Sequence, residues 1–327
     1  MKTKSCPSFL TRMAGWALCG ASLAAAGDGC TTSWPARLDA LTTLDGAGIC
    51  FTVSQDGPRI TARLDYQGRT FTAALPGPLG LPLDGQVRLR DPWATFAALR
   101  RHRPLANLGW NLWDGRPVPV RAAAAGVVLS HRVDPVHGTL VEIDHGSGLR
   151  TRYALNRYGT SAVAPGTQVA AGDPIGALGA GLPDDIPYVH FGVLFDPGAG
   201  PLLALDPAPF FFATAANRAL PFATSVLNAA VRAGDTDRIM RLLKLGLDPN
   251  GRSVDGTLPL EWAILGRDAG MVRLLVAAGA DRNAKTAEGI GRVVEGLGLT
   301  IANTGPTLVE AAQETEDPDL MAALAAP

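Results

Sequence analysis

Histidine and cysteine are the side chains that most often carry metal or redox chemistry, and this chain has five of the first and four of the second. His131 and His137 flank Asp134 with two residues on either side, a spacing that could chelate a metal ion at the edge of a sheet. The same pattern is typical of a solvated hairpin, and we favour the hairpin. His102 lies between two arginines and is expected on the surface.

The other two histidines fall in residues 107–196, a stretch with a regular series of glycine turns. It opens Asn-Leu-Gly-Trp-Asn (107–111) and closes Tyr-Val-His-Phe (188–191). Between these lie, in order, Val-Arg-Ala-Ala-Ala-Ala-Gly (120–126), Val-Glu-Ile-Asp-His-Gly-Ser-Gly (141–148), Thr-Arg-Tyr-Ala-Leu (151–155) and Pro-Gly-Thr-Gln-Val-Ala-Ala-Gly-Asp-Pro-Ile-Gly (165–176). This order and spacing closely resembles the lysostaphin/LytM-type zinc endopeptidases, which cut peptide cross-links in peptidoglycan.

The resemblance implies a twisted antiparallel sheet with a groove across one face and a zinc site in the groove. A hydrolytic zinc site needs three protein ligands and one open position for water, whose pKa the metal lowers. In this family the ligands come from His-x-Gly-x-Asp and from the second His of His-x-His. The first His of that pair, and another just after the Thr-x-Tyr-Ala strand, orient water and stabilise the oxyanion.

Most of these positions are substituted here when the family pattern is mapped residue by residue. Asn107 stands at the first ligand His, and Asn111 stands at the ligand Asp. Tyr188 and Leu155 stand at the two catalytic His positions. Only His190 remains as a family ligand.

These substitutions predict a site that neither holds zinc nor catalyses. An amide oxygen is an uncharged donor that suits zinc poorly, and loss of the Asp removes charge compensation. A structural zinc site is worth about 10–16 kcal/mol, which one imidazole and two amides cannot supply. We therefore expect no cofactor, no catalytic residue, and His145 as a framework residue. The four groove positions that could bind an extended peptide are Asn107, Asn111, Tyr188 and His190.

Three functions from different classes fit this pattern. The favoured one is a non-catalytic module of the EnvC/NlpD type, which binds a peptidoglycan stem peptide or regulates a cell-wall hydrolase. The first alternative is an active peptidoglycan metalloendopeptidase with an atypical zinc site. The second is a purely structural or immunity-type adaptor.

Residues 223–327 repeat with a period of 33. The matching pairs are Ala230/Ala263, Asp235/Asp268, Leu242/Leu275, Gly246/Gly279, Asp248/Asp281, Asn250/Asn283 and Gly256/Gly289. The unit resembles the ankyrin repeat, with Leu-Pro-Leu-Glu-Trp-Ala (258–263) where that family has Thr-Pro-Leu-His-x-Ala. A third copy, with Ala312 and Asp317, implies an insertion around residues 289–306. The resemblance implies paired helices that bind another protein, although the replaced Thr and His leave the turn's hydrogen bonds open.

Residues 1–26 read as a secretory signal peptide, with a basic start, a short apolar run and Ala-Ala-Ala at 24–26. Its removal takes away three positive charges, so the formal net charge moves from −1 to −4. This predicts an exported, periplasmic protein with no basic footprint for nucleic acid and no transmembrane span. Cleavage leaves Cys30 and Cys50, which we expect to form a disulfide in an oxidising compartment. Lipid anchoring through Cys30 is the less favoured alternative.

The expected fold is therefore multidomain, with all-β and α-helical parts. Residues 27–104 are predicted to form a small β module and its linker, because strands at 49–54, 59–66 and 69–75 alternate apolar with polar residues. Residues 105–196 are expected to form the antiparallel LytM-type domain. Residues 197–222 read as a Pro/Ala-rich linker, whose Phe210–Phe212 triplet we expect to pin it to a core.

Overall fold

A computed structural model of the protein describes residues 34–35, 50–89, 99–100, 103–106, 109–134, 138–155, 159–180, 187–200, 202–287 and 305–325. Only the backbone is described at 34–35, 50, 99–100 and 103–106. The predicted signal peptide and Cys30 lie outside these residues, and so do His102, Asn107 and His137. The expectations that rest on them, including the Cys30–Cys50 disulfide, stay predictions.

The strands in the described part of the chain are β1 (Trp34–Pro35), β2 (Cys50–Asp56), β3 (Arg59–Tyr66), β4 (Arg69–Leu75), β5 (Arg88–Leu89), β6 (Leu99–Arg100), β7 (Arg103–Ala106), β8 (Trp110–Trp113), β9 (Pro119–Arg121), β10 (Gly126–Asp134), β11 (Gly138–Asp144), β12 (Leu149–Ala154), β13 (Gln168–Val169), β14 (Pro174–Ala177), β15 (Val189–Phe195) and β16 (Leu203–Leu205). The helices are α1 (Pro207–Phe211), α2 (Ala215–Arg218), α3 (Pro221–Arg232), α4 (Thr236–Lys244), α5 (Pro259–Leu265), α6 (Ala269–Ala277), α7 (Leu308–Gln313) and α8 (Pro318–Ala325). The helices are short, and no described helix is both long and apolar enough to cross a bilayer.

The N-terminal module is a three-stranded antiparallel sheet of β2, β3 and β4. Its hairpin turns fall at the predicted places, with Gly57 and Gly68 at φ 57 and 75. Ile60, Ala62 and Leu64 are buried and the residues between them are more exposed, which confirms the predicted one-sided burial. The module packs on the rest of the chain, because the ring of Phe71 lies 5.3 Å from that of Phe195.

The central element is a larger antiparallel sheet in the order β1-β16-β15-β12-β11-β10-β13, with β8 on β15 and β5 on β8. This confirms the predicted antiparallel β-rich architecture. Three of its strands, β1, β5 and β16, come from outside residues 105–196. A two-stranded sheet of β9 and β14 is linked to it where the backbone N–H of Ala123 donates to the Tyr153 hydroxyl at 2.7 Å.

Residues 197–222, expected as a linker, contain β16, α1 and α2. Phe210, Phe211 and Phe212 are all buried, which confirms that this triplet fixes the segment to a core. Asp206 caps α1 by accepting from the backbone N–H of Ala208 at 3.0 Å.

The C-terminal helices form three contacting pairs, α3 with α4, α5 with α6 and α7 with α8. Each pair turns through a residue with positive φ, namely Gly234 (66), Arg267 (51) and Glu316 (54). The next residue is an aspartate in every case, and its carboxylate accepts a backbone N–H of the second helix. The turn thus recurs at the 33-residue spacing read from the sequence, and again in the third pair.

Helices and sheet share a continuous core around Trp110 of β8. The Trp110 ring lies 5.3 Å from that of Phe222 in α3 and 5.7 Å from that of Phe211. Two ion pairs cross the same junction. Arg88 lies 3.7 Å from Asp255, and the buried Arg238 lies 3.7 Å from Asp206.

Candidate functional site

The centre of the candidate site is a contact between Asn111 on β8 and His190 on β15. The two residues are directly opposite in the antiparallel register, so their side chains share one face of the sheet. The His190 Nδ1 lies 2.7 Å from the Asn111 Oδ1. An amide oxygen can only accept, so Nδ1 carries a proton and donates it. Asn111 is 4% exposed and His190 is partly exposed, so the pair is set into the surface.

The other predicted site residues take different environments. Tyr188 immediately precedes β15 and is partly exposed. Leu155, just after β12, is fully buried, and its backbone N–H donates to the Thr139 carbonyl at 2.8 Å. The backbones of Gly159 and Gly176 pack directly against Leu155, because a Cβ built on either glycine would overlap Leu155 atoms. Leu155 is therefore interior packing, whereas Tyr188 remains at the surface.

A buried polar network holds the framework behind the site. His145 Nδ1 lies 2.7 Å from the Ala125 carbonyl, and its Nε2 lies 2.8 Å from the Thr151 hydroxyl. That hydroxyl lies 3.0 Å from the Tyr153 hydroxyl. Burial lowers the pKa of His145, and burial raises the pKa of Tyr153 to about 12. His145 is thus a neutral structural residue, as expected from the sequence.

Charged residues on the same face of the sheet are paired across neighbouring strands. Arg152 Nε donates to a carboxylate oxygen of Glu142 at 2.7 Å, and both residues are largely buried. Arg150 forms a hydrogen-bonded ion pair with Asp196. These residues escaped the sequence analysis, although strand alternation places positions 150, 152 and 154 on one face.

His131 lies on β10 and is partly exposed. Among the residues that the structure describes, no group of three or more His, Cys, Asp and Glu is arranged to hold a metal ion. His137, the third member of the proposed chelate, lies outside the described residues.

The comparison with sequence families agrees with the geometry: residues 109–199 match the profile of Peptidase family M23. This part of the chain is an M23-type domain. No curated protein matches the chain.

Several solved structures are similar to the chain. A chain of the SpoIIQ–SpoIIIAH pore forming complex is 23% identical, with a TM-score of 0.35, over 42% of this chain and 94% of that one. A zinc-containing peptidase from Vibrio cholerae is 21% identical, with a TM-score of 0.33, over 50% and 56%. The catalytic domain of lysostaphin from Staphylococcus simulans is 21% identical, with a TM-score of 0.30, over 36% and 89%.

The side chains present in the M23-type domain do not fit the zinc ion that its family typically carries. Asn111 is uncharged, and its oxygen already accepts a hydrogen bond from His190, which the sequence predicted to be the remaining family ligand. Zinc needs deprotonated donors and favours anionic or imidazole ligands over amides. The hydrogen-bonded pair instead offers an amide and an imidazole for polar recognition.

Proposed function

We propose that the protein is exported and that its M23-type domain binds a peptide without cleaving it. The ligand is a peptidoglycan stem peptide or a segment of a cell-wall hydrolase. The observation that carries this proposal is the 2.7 Å hydrogen bond between His190 and Asn111. It joins two side chains that stand at positions of metal ligands in the family pattern. In a groove that had lost all binding function, we would expect aliphatic side chains at these positions instead of a polar pair.

The two catalytic positions support the absence of turnover. Leu155 is buried and aliphatic, and Tyr188 carries a phenol where the family has an imidazole. General acid–base catalysis contributes about 10²–10⁴-fold and needs a positioned group of suitable pKa. Neither position supplies the imidazole that the family pattern places there.

We further propose that the C-terminal helix pairs are ankyrin repeats that bind another protein. The recurring turn supports this, and so do the hydrogen bonds between units. Glu261, at the position of the family His, accepts from the backbone N–H of Leu258 at 2.8 Å and of Ala287 at 2.9 Å. Asn228, one period earlier, donates to the Thr257 hydroxyl at 3.0 Å. Both side chains bridge to the unit that follows.

The test is co-sedimentation of the purified mature protein with isolated sacculi. We expect binding that the double variant Asn111→Leu, Tyr188→Ala loses while keeping its circular dichroism spectrum. The variant Arg273→Gln, an exposed change on α6, is the matched control and should bind like the parent.

Two outcomes would overturn the proposal. Release of soluble wall fragments by the parent protein would establish the active metalloendopeptidase instead. Unchanged sedimentation of the double variant would show that binding does not use the groove. If the parent protein neither sediments with sacculi nor binds a hydrolase, the structural adaptor would be the remaining function.

A further inference from the structure

A row of five residues crosses the sheet through the candidate site. The register pairs Arg132 with Leu140, Leu140 with Ala154, Ala154 with His190, and His190 with Asn111. Residues directly opposite on antiparallel strands project from the same face. Arg132 on β10 therefore lies on the face that carries the Asn111–His190 pair, three strands from His190.

The two ends of this row differ from its middle. Leu140 and Ala154 are each 4% exposed and apolar, so the centre offers no polar group. Arg132 at one end is exposed, and His190 near the other end is partly exposed. A ligand that spans the row would therefore meet the protein at Arg132 and at the Asn111–His190 pair, because Leu140 and Ala154 between them are almost inaccessible.

Arg132 also differs from the other arginines of this face in its charge balance. Arg152 is paired with Glu142, and Arg150 is paired with Asp196. Within the described ranges, Arg132 has no acidic partner. Asp134 lies two residues further along β10 on the same face, but no ion pair joins it to Arg132, whose guanidinium is exposed.

We propose that Arg132 selects the free carboxylate of a stem peptide whose other end contacts the Asn111–His190 pair. This inference rests on the peptide-binding function proposed above. Guanidinium and carboxylate form short, charge-assisted and often bidentate hydrogen bonds.

The length of the ligand follows from strand spacing. Three spacings of about 4.8 Å separate Arg132 from His190 by roughly 14 Å. An extended peptide of about four residues, at roughly 3.3–3.6 Å each, covers that span. A terminal carboxylate at this distance distinguishes a stem peptide from an internal segment of a hydrolase, whose backbone has no free carboxylate.

The experiment uses a fluorescently labelled stem tetrapeptide with a free carboxyl end and the same peptide as its amide, titrated with the mature protein. We expect the free acid to bind roughly tenfold more tightly, as one charge-assisted hydrogen bond implies. In Arg132→Gln, the free acid should bind only as tightly as the amide. Arg132→Lys should keep part of the preference for the acid, and Arg273→Gln should leave that preference unchanged.

The two failures are distinguishable. Equal binding of acid and amide by the parent, or a preference that survives Arg132→Gln, overturns the role of Arg132. Absence of binding for both peptides, or parent-like binding by Asn111→Leu, Tyr188→Ala, overturns the groove function itself.

Discussion

Asn111 differs from an aspartate by a single charge, yet that difference changes what His190 can do. With an amide as its neighbour, the imidazole is held by a 2.7 Å hydrogen bond. The chemistry of this donor set argues for polar recognition. The pairing itself was not foreseen from the sequence, because nothing in the residue types indicates that the two side chains satisfy each other.

The first prediction at this scale concerns metal content. Because the donors do not fit zinc, elemental analysis of the purified mature protein should give far less than one zinc per chain. His190→Ala should not change that value, and neither should His131→Ala as the control. A tightly held ion at close to one per chain, lost only in the His190 variant, would contradict the non-catalytic function.

The second prediction concerns His145 and pH. Burial lowers the pKa of this imidazole from 6.5, so the unfolded state takes up the proton more readily. The contribution of neutral His145 to stability is therefore present above pH 6.5 and is lost as pH falls from there through the folded-state pKa. Urea unfolding at several pH values should show this loss in the parent protein.

A variant pair isolates the effect. His145→Gln carries no titrating ring, so it should be less stable at neutral pH and should lack this part of the acid dependence. His131→Gln, on the partly exposed β10 position, should keep the parental slope. A parental slope in His145→Gln would assign the acid sensitivity to other groups.

At the scale of secondary-structure elements, successive helix pairs are joined by two side chains, Asn228 of α3 and Glu261 of α5. Glu261 accepts two backbone N–H groups, one from its own turn and one from Ala287 in the next unit. Sequence comparison left this turn open because the family His is replaced. A carboxylate has acceptor capacity for two N–H groups, so this one side chain satisfies both backbone donors.

Glu261→Ala should therefore destabilise the protein by about 1–3 kcal/mol, the cost of leaving a buried backbone donor without a partner. Glu310, the equivalent residue of α7, is exposed, and among the residues that the structure describes it accepts only from Thr307 within its own turn. Glu310→Ala is the matched control and should cost clearly less in the same chemical unfolding experiment. Equal losses would mean that the bridge to Ala287 contributes little.

Long strands were predictable from sequence, and short pairings were not. β3 and β4 match their predicted bounds because alternation and a Gly turn on each side fix them locally. β5 and β16 are two and three residues long. β5 is ordered by pairing with β8, and β16 lies between the preceding β15 and the distant β1. No local pattern encodes such pairing. The same limit applies to the site, where Leu155 was predicted as a substitution but its burial by Gly159 and Gly176 was not.

For the whole molecule, the shared core around Trp110 implies that sheet and helices unfold together. The sequence predicted a linker at residues 197–222 between the β domains and the repeats, but Phe222 and Arg238 tie the first helix pair to β8 and to Asp206. A common core favours a single cooperative transition.

The fourth prediction follows from this coupling. Phe222→Ala should cost about 3–5 kcal/mol, as is usual for a buried aromatic ring, and should lower the midpoint of both parts. The helical circular dichroism band and the tryptophan fluorescence, recorded in a Trp262→Phe background whose remaining tryptophans, Trp110 among them, all lie outside the helix pairs, should shift together. Leu265→Ala, at a position that is 46% exposed, is the control and should shift neither. Separate midpoints for the two signals would contradict the shared core.

The Asn111–His190 hydrogen bond also bears on whether such a site could evolve back to a hydrolase. Asn111→Asp alone would put a carboxylate against a protonated Nδ1, which raises the pKa of His190 and favours the imidazolium. Metal ions compete with protons for an imidazole, so this first step would not be halfway to a zinc site. Reversion would also need changes at 107, 155 and 188, so no single substitution would restore hydrolysis.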